Sequence, residues 1–289
     1  MSHAAGLEWI YMLHRLRTPA LDALMRFLNF FDRQEFFFLL IPILWLCYRW
    51  QLGRKIFYLF ALSALVNFGL KALFAEPRPF WTDPSVALIR VPGYSFPSGG
   101  AQSSMLIAGL IFYHWKTKWK WLVGSAYVLL ISLSRVYLGV HFPLDVLGGW
   151  AVGLFLWGLY VTSFPWAIAQ LKTLSPLTIL LTSSLVFAAS LVAFSSLLMM
   201  IIAASAVGME CGIFFNTTRF HFACPPVNRL DFWLRALLGP GGVFALYFTL
   251  FLLLSSSKVA VFSLFFIEGL WISFFSNALC SKISSKLRS

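Results

Sequence analysis

The chain has 289 residues, of which 60% are hydrophobic, 18% aromatic and only 11% charged, a balance that excludes soluble, disordered and collagen-like proteins and points to an integral membrane protein. Apolar stretches such as 56–75 and 259–279 lack the alternation of a membrane β-barrel and match the roughly 20 residues a helix needs to cross a bilayer, so the expected fold class is all-α and polytopic. The formal charge of +12, from 22 Lys and Arg against 10 Asp and Glu, then marks cytoplasmic loops and anionic lipid headgroups, and nucleic acid is excluded as a partner.

In chain order, residues 5–31 form two short amphipathic pieces, with Thr18 as N-cap, Pro19 at the first helical position, and Leu21, Leu24, Met25 and Leu28 on one face. They are expected to lie at the interface as a hairpin. Spanning helices are expected at 35–49, 56–74, 101–115, 121–138 and 144–163. The apolar run 176–209 would be roughly 50 Å long as one helix, too long for a hydrocarbon core of roughly 30 Å, so a tight pair of helices is expected there. Two more spans, 234–255 and 259–280, complete a count of about nine. The domain division is 1–33 as interfacial helices, 34–165 as a transmembrane core, and 166–289 as additional transmembrane helices. Cys47, Cys211, Cys224 and Cys280 include no CxxC pair, and no disulfide framework is expected. Arg15 and Arg17 interrupt any apolar region of a secretory signal.

Loop charges set the expected topology. Arg49, Arg54 and Lys55, then Lys116, Lys118 and Lys120, and Lys172 share one side, which the positive-inside rule makes cytoplasmic. The paired reading of 176–209 puts Arg219, Arg229, Lys282, Lys286 and Arg288 on that side too. The long loop 75–100 and the turn around His141 then face the periplasm or exterior.

Three segments on that outer side are polar where membrane physics disfavours polarity: KALFAEPRP from Lys71 to Pro79, PSGGAQ from Pro97 to Gln102, and SRVYLGVHFPLD from Ser134 to Asp145. Lys71, Arg78 and Arg135 gathered at one face call for an anion, and two guanidinium forks with an ammonium suit the three oxygens of a phosphoryl group. Ser98 as an N-cap followed by Gly99 and Gly100 leaves free backbone N–H groups at a helix start, which also bind anions. His141 precedes the next helix by two residues and Asp145 lies four residues on, so a carboxylate can hold one ring nitrogen and leave the other free to attack. Taken singly, Lys71 and Arg78 also fit snorkelling anchors, Ser98 an ordinary cap, and Asp145 a first-turn acid.

At these residues the chain resembles the type 2 phosphatidic acid phosphatase family of membrane lipid phosphatases, related to vanadium haloperoxidases. The family pattern K-x6-R-P, P-S-G-H, S-R-x5-H-x3-D is met by Lys71, Arg78 and Pro79, by Pro97, Ser98 and Gly99, and by Ser134, Arg135, His141 and Asp145, in order and at family spacing. The resemblance covers about residues 20–163. It implies Lys71, Arg78, Ser98, Gly99 and Arg135 as phosphate-binding residues, His141 as a nucleophile forming a phosphohistidine, Asp145 as its orienting carboxylate, and no metal or other cofactor.

One position departs from the pattern: Gly100 stands where the family has its general-acid His. An alkoxide leaving from a lipid monoester needs a proton far more than a phosphate leaving from a diphosphate, and Glu76, Asp83 and Tyr94 in the same loop are candidate substitutes. The expected protein is a membrane phosphatase acting on a lipid-linked phosphate or diphosphate, such as undecaprenyl diphosphate, at the outer face of the cytoplasmic membrane. The alternatives are a lipid phosphotransferase or a catalytically impaired member that binds or transports lipid phosphates. Glu210 and Glu268, acids in or beside apolar runs, carry no assigned role, although either could snorkel or pair with Arg235 or another base.

Overall fold

A computed structural model describes residues 3–171, 173–193, 196–222, 226–254 and 257–287; residues 1–2, Lys172, Cys224 and Arg288 lie outside the described residues. The fold is all-helical. Helices α1 (His3–His14), α2 (Pro19–Leu28), α3 (Gln34–Ile43), α4 (Trp50–Phe74), α5 (Pro79–Thr82), α6 (Gly99–His114), α7 (Lys120–Tyr137), α8 (Pro143–Thr162), α9 (Phe164–Leu171), α10 (Pro176–Ala193), α11 (Leu197–Phe215), α12 (Arg229–Leu254), α13 (Lys258–Leu270) and α14 (Ser276–Lys286) follow in order. Among the described residues, four helical stretches are apolar and long enough to cross a membrane: Trp50–Thr82, Pro143–Thr162, Leu197–Phe220 and Lys258–Lys286. The chain is a membrane protein.

Two compact units divide it, one of Met1–Phe36 with Leu59–Trp166 and one of Phe37–Tyr58 with Ala167–Ser289. In the first unit α6 packs against both α7 and α8. Gly149 and Gly153, one turn apart on α8, allow this approach: a Cβ at Gly149 would come within 2.5 Å of the Ser98 carbonyl oxygen, and one at Gly153 within 2.6 Å of that of Gln102. The N-terminal helices α1 and α2 pack on α7, and α1 also meets α8. Thr18 caps α2 by accepting from the Leu21 N–H at 3.2 Å, with Pro19 at the first helical position. Leu7, Ile10, Met25 and Leu28 then enter one apolar core with Ile131, Tyr137, Val140, Phe142 and Val146.

Gly139 ends α7. Its φ of +70° suits glycine, and any Cβ there would run into the Val86 carbonyl. The tight bend closes with Gly139 N–H donating to the Val136 carbonyl at 3.0 Å and Val140 N–H to that of Arg135 at 3.2 Å. It returns the chain toward α8, with Val140 bonded to Arg135 and His141 next in sequence.

In the second unit the long apolar run divides into α10 and α11, which pack on each other. Gly208 and Gly212 bring α11 close to the backbone of Phe266 and the side chain of Ser273. The unit buries ion pairs. Glu210, 2% exposed, accepts from Arg54 Nε at 2.9 Å and Nη2 at 2.8 Å, and also from the Tyr58 hydroxyl. Glu210 therefore pairs with Arg54 instead of Arg235, because Arg235 is taken by Asp231 one turn away at 2.9 Å. Glu268 is as buried as Glu210, and its Oε1 has no hydrogen-bond partner among the described residues.

The basic turn expected at 49–55 is much shorter than the charges suggested. A π-helical turn at Leu44–Tyr48 ends at Arg49, an extended residue with φ −145°, and α4 begins at Trp50. With no Gly or Pro between Pro42 and Gly53 to hold the chain open, Arg54 and Lys55 fall on the first turns of a helix.

Candidate active site

The three polar segments meet in the first unit, where α4 ends, α6 begins and α7 turns into α8. Ser98 is fully buried and caps α6, its hydroxyl accepting from the Ala101 N–H at 3.4 Å. Its own N–H donates to the Asp145 carbonyl at 2.9 Å, tying the α6 cap to the start of α8. Asn67 on α4 secures the same corner by donating to the Pro97 carbonyl at 3.2 Å and the Gln102 side chain at 2.9 Å. Gln102 in turn donates to the Ser63 carbonyl at 2.8 Å. The α6 N-terminus is thereby fixed without a side chain at Gly99 or Gly100.

Asp145 has two jobs at the start of α8. Its Oδ2 accepts from the Phe142 N–H at 2.8 Å, closing the first turn after Pro143, and also from the Ser95 hydroxyl. The same oxygen lies 3.4 Å from His141 Nδ1, and Ser95 Oγ is 3.4 Å from that nitrogen as well. His141 is 4% exposed. Burial pushes its imidazole down to about 3, so the ring is neutral at physiological pH despite its carboxylate neighbour.

Arg78 and Lys71 hold backbone oxygens around this ring, and Arg135 holds side-chain oxygens. Arg78, itself buried, donates from Nε to the Gly93 carbonyl at 2.7 Å, from Nη2 to that of Pro92 at 3.0 Å, and from Nη1 to that of Val140 at 2.9 Å; Nη1 also approaches His141 Nε2 at 3.4 Å. Lys71 Nζ donates to the carbonyls of Tyr94 at 2.6 Å and Ser95 at 2.9 Å. Arg135, 1% exposed, donates from Nη1 to Asn29 Oδ1 at 2.7 Å and to Asp32 Oδ2 at 3.0 Å. Lys71, Arg78, Arg135, Ser98, Gly99, Gly100, His141 and Asp145 are thus all assembled in one unit.

Sequence reasoning missed three residues here. Ser95 reaches both members of the His141–Asp145 pair, while Asn29 and Asp32 meet Arg135 from the turn after α2. The candidate substitute acids of the 75–100 loop have other partners. Asp83 accepts from the Tyr11 hydroxyl, the Ser85 N–H and the Ser85 hydroxyl, and the Tyr11 contact foremost holds its carboxyl below the usual range. Glu76 lies 3.2 Å from His3 Nε2 at the surface, and Tyr94 is exposed.

Residues 52–169 match the sequence profile of the PAP2 superfamily. An undecaprenyl-diphosphatase of Sulfolobus acidocaldarius is 32% identical over 154 residues, covering 51% of this chain and 73% of that protein. Phosphatidylglycerophosphatase B of Bacillus subtilis is 30% identical over 158 residues, covering 50% of this chain and 75% of that protein. Among solved structures, a transmembrane PAP2-type phosphatidylglycerolphosphate phosphatase from Bacillus subtilis aligns with 57% of this chain and 86% of its own, at 27% identity and a TM-score of 0.49.

Proposed function

The chain belongs to the PAP2 superfamily of membrane lipid phosphatases, and from that membership we propose that it hydrolyses a lipid-linked phosphate or diphosphate through a phosphohistidine on His141. The observation that carries this reading is the orientation of one ring. Nδ1 of His141 faces Asp145 and Ser95, which keeps the proton there, while Nε2 keeps its lone pair and points toward Arg78. In the first half-reaction Nε2 attacks phosphorus and the lipid oxygen leaves; in the second, water attacks the phosphohistidine and releases phosphate. Arg135, Lys71, Arg78, Ser98 and the N–H groups at Gly99 and Gly100 take the phosphoryl oxygens, with Asp145 stabilising the ring as it gains charge.

The site is assigned to the periplasmic or extracellular face of a cytoplasmic membrane, on the charge asymmetry between the 75–100 loop and the Lys116–Lys120 turn. The phosphatase core is read as residues 34–165 together with the N-terminal helices, whose Asn29 and Asp32 reach Arg135, and the helices of 166–289 are additional to it. The two curated relatives carry a prenyl diphosphatase and a glycerophospholipid phosphatase name, and both substrate types expose their phosphate at the headgroup level that this site would reach.

The test is phosphate release from a prenyl diphosphate and a short-chain phosphatidic acid by the purified full chain in proteoliposomes. Hydrolysis that His141→Ala abolishes, with radiolabelled phosphate trapped on His141 at short times, supports the reading. Release that persists at the parent rate in His141→Ala overturns it. The Gly100 substitution favours a second reading, a chain that binds or transfers lipid phosphates without hydrolysing them, and analogue binding without any phosphate release would establish that one. Sidedness is tested by cysteine at Asp83, which an impermeant thiol reagent should label from outside, against cysteine at Lys118, which it should not.

A further inference from the structure

Gly100 has no side chain, yet the space in front of it is filled. A Cβ built on Gly100 would stand 2.8 Å from Asp32 Cγ, 2.9 Å from Asp32 Oδ2 and 3.0 Å from Arg135 Cδ. Asp32 closes the short 3-10 turn Asn29–Asp32 after α2, and its carboxylate holds Arg135 Nη1 at 3.0 Å. Its side chain keeps 26% of its exposure, whereas Arg135 keeps 1%. The acid therefore lies between a buried guanidinium and open space, directly before the free N–H groups of the α6 N-terminus. Asp145 is already committed to Phe142, Ser95 and His141, and Glu76 and Asp83 are engaged at the surface.

We propose that Asp32 is the proton donor to the leaving lipid oxygen, reaching from the turn after α2 into the volume that a side chain at position 100 would fill. This inference rests on the phosphohistidine reading of His141. The Nε2 lone pair of His141 forms the N–P bond as the P–O bond to the lipid breaks; that bonding pair passes to the lipid oxygen, which takes the Asp32 proton and departs as an alcohol. Asp32 is left as a carboxylate. In the second half-reaction water attacks the phosphohistidine as the P–N pair returns to Nε2, the protons of that water leave with the phosphate, and Asp32 recovers its proton from solvent.

The electrostatics suit that cycle. Burial raises the Asp32 proton affinity against the pull of Arg135, Lys71 and Arg78. A phosphoryl dianion entering beside Arg135 shares the guanidinium with the carboxylate and places a like charge next to it, which raises that affinity further. Substrate arrival thus favours the protonated form that the reaction uses.

The experiment compares leaving groups. Asp32→Asn keeps an oxygen to accept from Arg135 but removes the acid. Its turnover of a short-chain phosphatidic acid, whose alkoxide is strongly basic, is expected to fall about 10²–10⁴-fold. Hydrolysis of 4-nitrophenyl phosphate, whose leaving group needs no proton, should fall by less than about tenfold. A swap variant, Asp32→Gly with Gly100→His, moves an acid back onto α6 and is expected to recover most of the phosphatidic acid activity that Asp32→Gly alone loses. Vanadate inhibition reports whether each variant retains a formed phosphate pocket. Equal losses on both substrates, or parent-level phosphatidic acid turnover in Asp32→Asn, overturn the assignment and leave the His141 reading standing. Hydrolysis of 4-nitrophenyl phosphate surviving in His141→Ala overturns that underlying reading instead, and the leaving-group ratio for Asp32 is measured independently of it.

Discussion

His141 and Asp145 stand one turn apart at the start of α8, and the carboxylate oxygen that lies 3.4 Å from His141 Nδ1 is the same oxygen that caps the helix through the Phe142 N–H. A single atom thus serves both the start of the helix and the contact to the ring. The extended Phe142 and the fixed φ of Pro143 make that coincidence repeatable, because they start α8 at a defined residue.

Asp145→Asn separates the two roles. The amide oxygen still accepts from Phe142, so α8 should keep its start, whereas the amide offers no charge to the imidazolium side of the reaction. Turnover is expected to fall on the order of 10³–10⁴-fold with vanadate affinity nearly unchanged, measured on the same preparation. Ser95→Ala removes a donor to the same oxygen and should cost less, about tenfold. A larger loss in Ser95→Ala than in Asp145→Asn would mean that the serine, and not the carboxylate, controls the ring.

The two buried arginines should answer differently to lysine. Arg78 spreads three nitrogens over the carbonyls of Pro92, Gly93 and Val140, and an ammonium cannot reach all three. Arg78→Lys is therefore expected to orphan at least one carbonyl, at about 1–3 kcal/mol, and to lower the melting temperature as well as activity. Arg135→Lys loses the fork presented to phosphate and should raise the vanadate inhibition constant at least tenfold. Calorimetry in detergent alongside inhibition assays distinguishes the two; wild-type phosphate affinity in Arg135→Lys would remove Arg135 from the ligand set.

Asp32 and His141 set opposite limbs of the pH response. Burial holds the His141 ring neutral down to about 3, so above roughly pH 4 no loss of nucleophile is expected. The unfolded imidazole binds a proton near 6.5 and the folded one does not, so its contribution to stability is complete above that value and disappears as pH falls toward 3. Asp32, raised by burial, with Arg135, Lys71 and Arg78 opposing and Tyr127 nearby, donates only while protonated. Phosphatidic acid turnover should therefore decline as pH rises through its raised value, and 4-nitrophenyl phosphate turnover should not. An alkaline limb of equal size on both substrates, or one that persists in Asp32→Asn, would assign that limb to another group.

The sequence made the motif residues legible because each polar group had to be justified against a bilayer: Lys71, Arg78, Arg135, His141 and Asp145 stand out for being costly there. Their partners were not legible. Asp32 lies in a short N-terminal turn that looks like any interfacial punctuation, and its meeting with Gly100 depends on how α2 packs against α7, which no local pattern encodes. Ser95 looks like loop filler until α8 brings Asp145 to it. The partner of Glu210 was equally hidden, since Arg54 is 156 residues away and looked like a cytoplasmic loop charge until α4 absorbed it.

Gly149 should tolerate nothing larger. Its α-carbon lies against the Ser98 carbonyl, where a Cβ would be at 2.5 Å from that oxygen and 2.9 Å from Ala101 Cβ, so Gly149→Val must push α8 away from the α6 cap. Because Ser98 N–H is bonded to Asp145, the displacement separates the phosphate-binding N-terminus from the nucleophile. Turnover and vanadate affinity are expected to fall together, each at least tenfold. Gly158 faces open space and provides the control: Gly158→Ala should leave both unchanged. Equal behaviour of the two variants would show that the close approach of α6 and α8 does not position the site.

The last prediction concerns the second unit, where Glu210 is buried at 2% exposure while Arg54 keeps 22% of its side-chain exposure. The pair is bidentate, and Tyr58 supplies a further donor to the carboxylate. Removing the guanidinium leaves a buried acid with one neutral donor, so Arg54→Met is expected to destabilise the chain by about 3–5 kcal/mol. Glu210→Gln should cost less, because Arg54 reaches water and the amide still accepts from it. The double variant Arg54→Met with Glu210→Leu removes both charges and should recover much of the loss of Arg54→Met alone, since apolar replacement of a buried pair is often neutral or stabilising. Melting temperatures of the parent, the single variants Arg54→Met, Glu210→Gln and Glu210→Leu, and the double variant in one detergent measure this. Losses that simply add in the double variant would show that the two side chains are not energetically coupled, and that the pair does not hold this unit together.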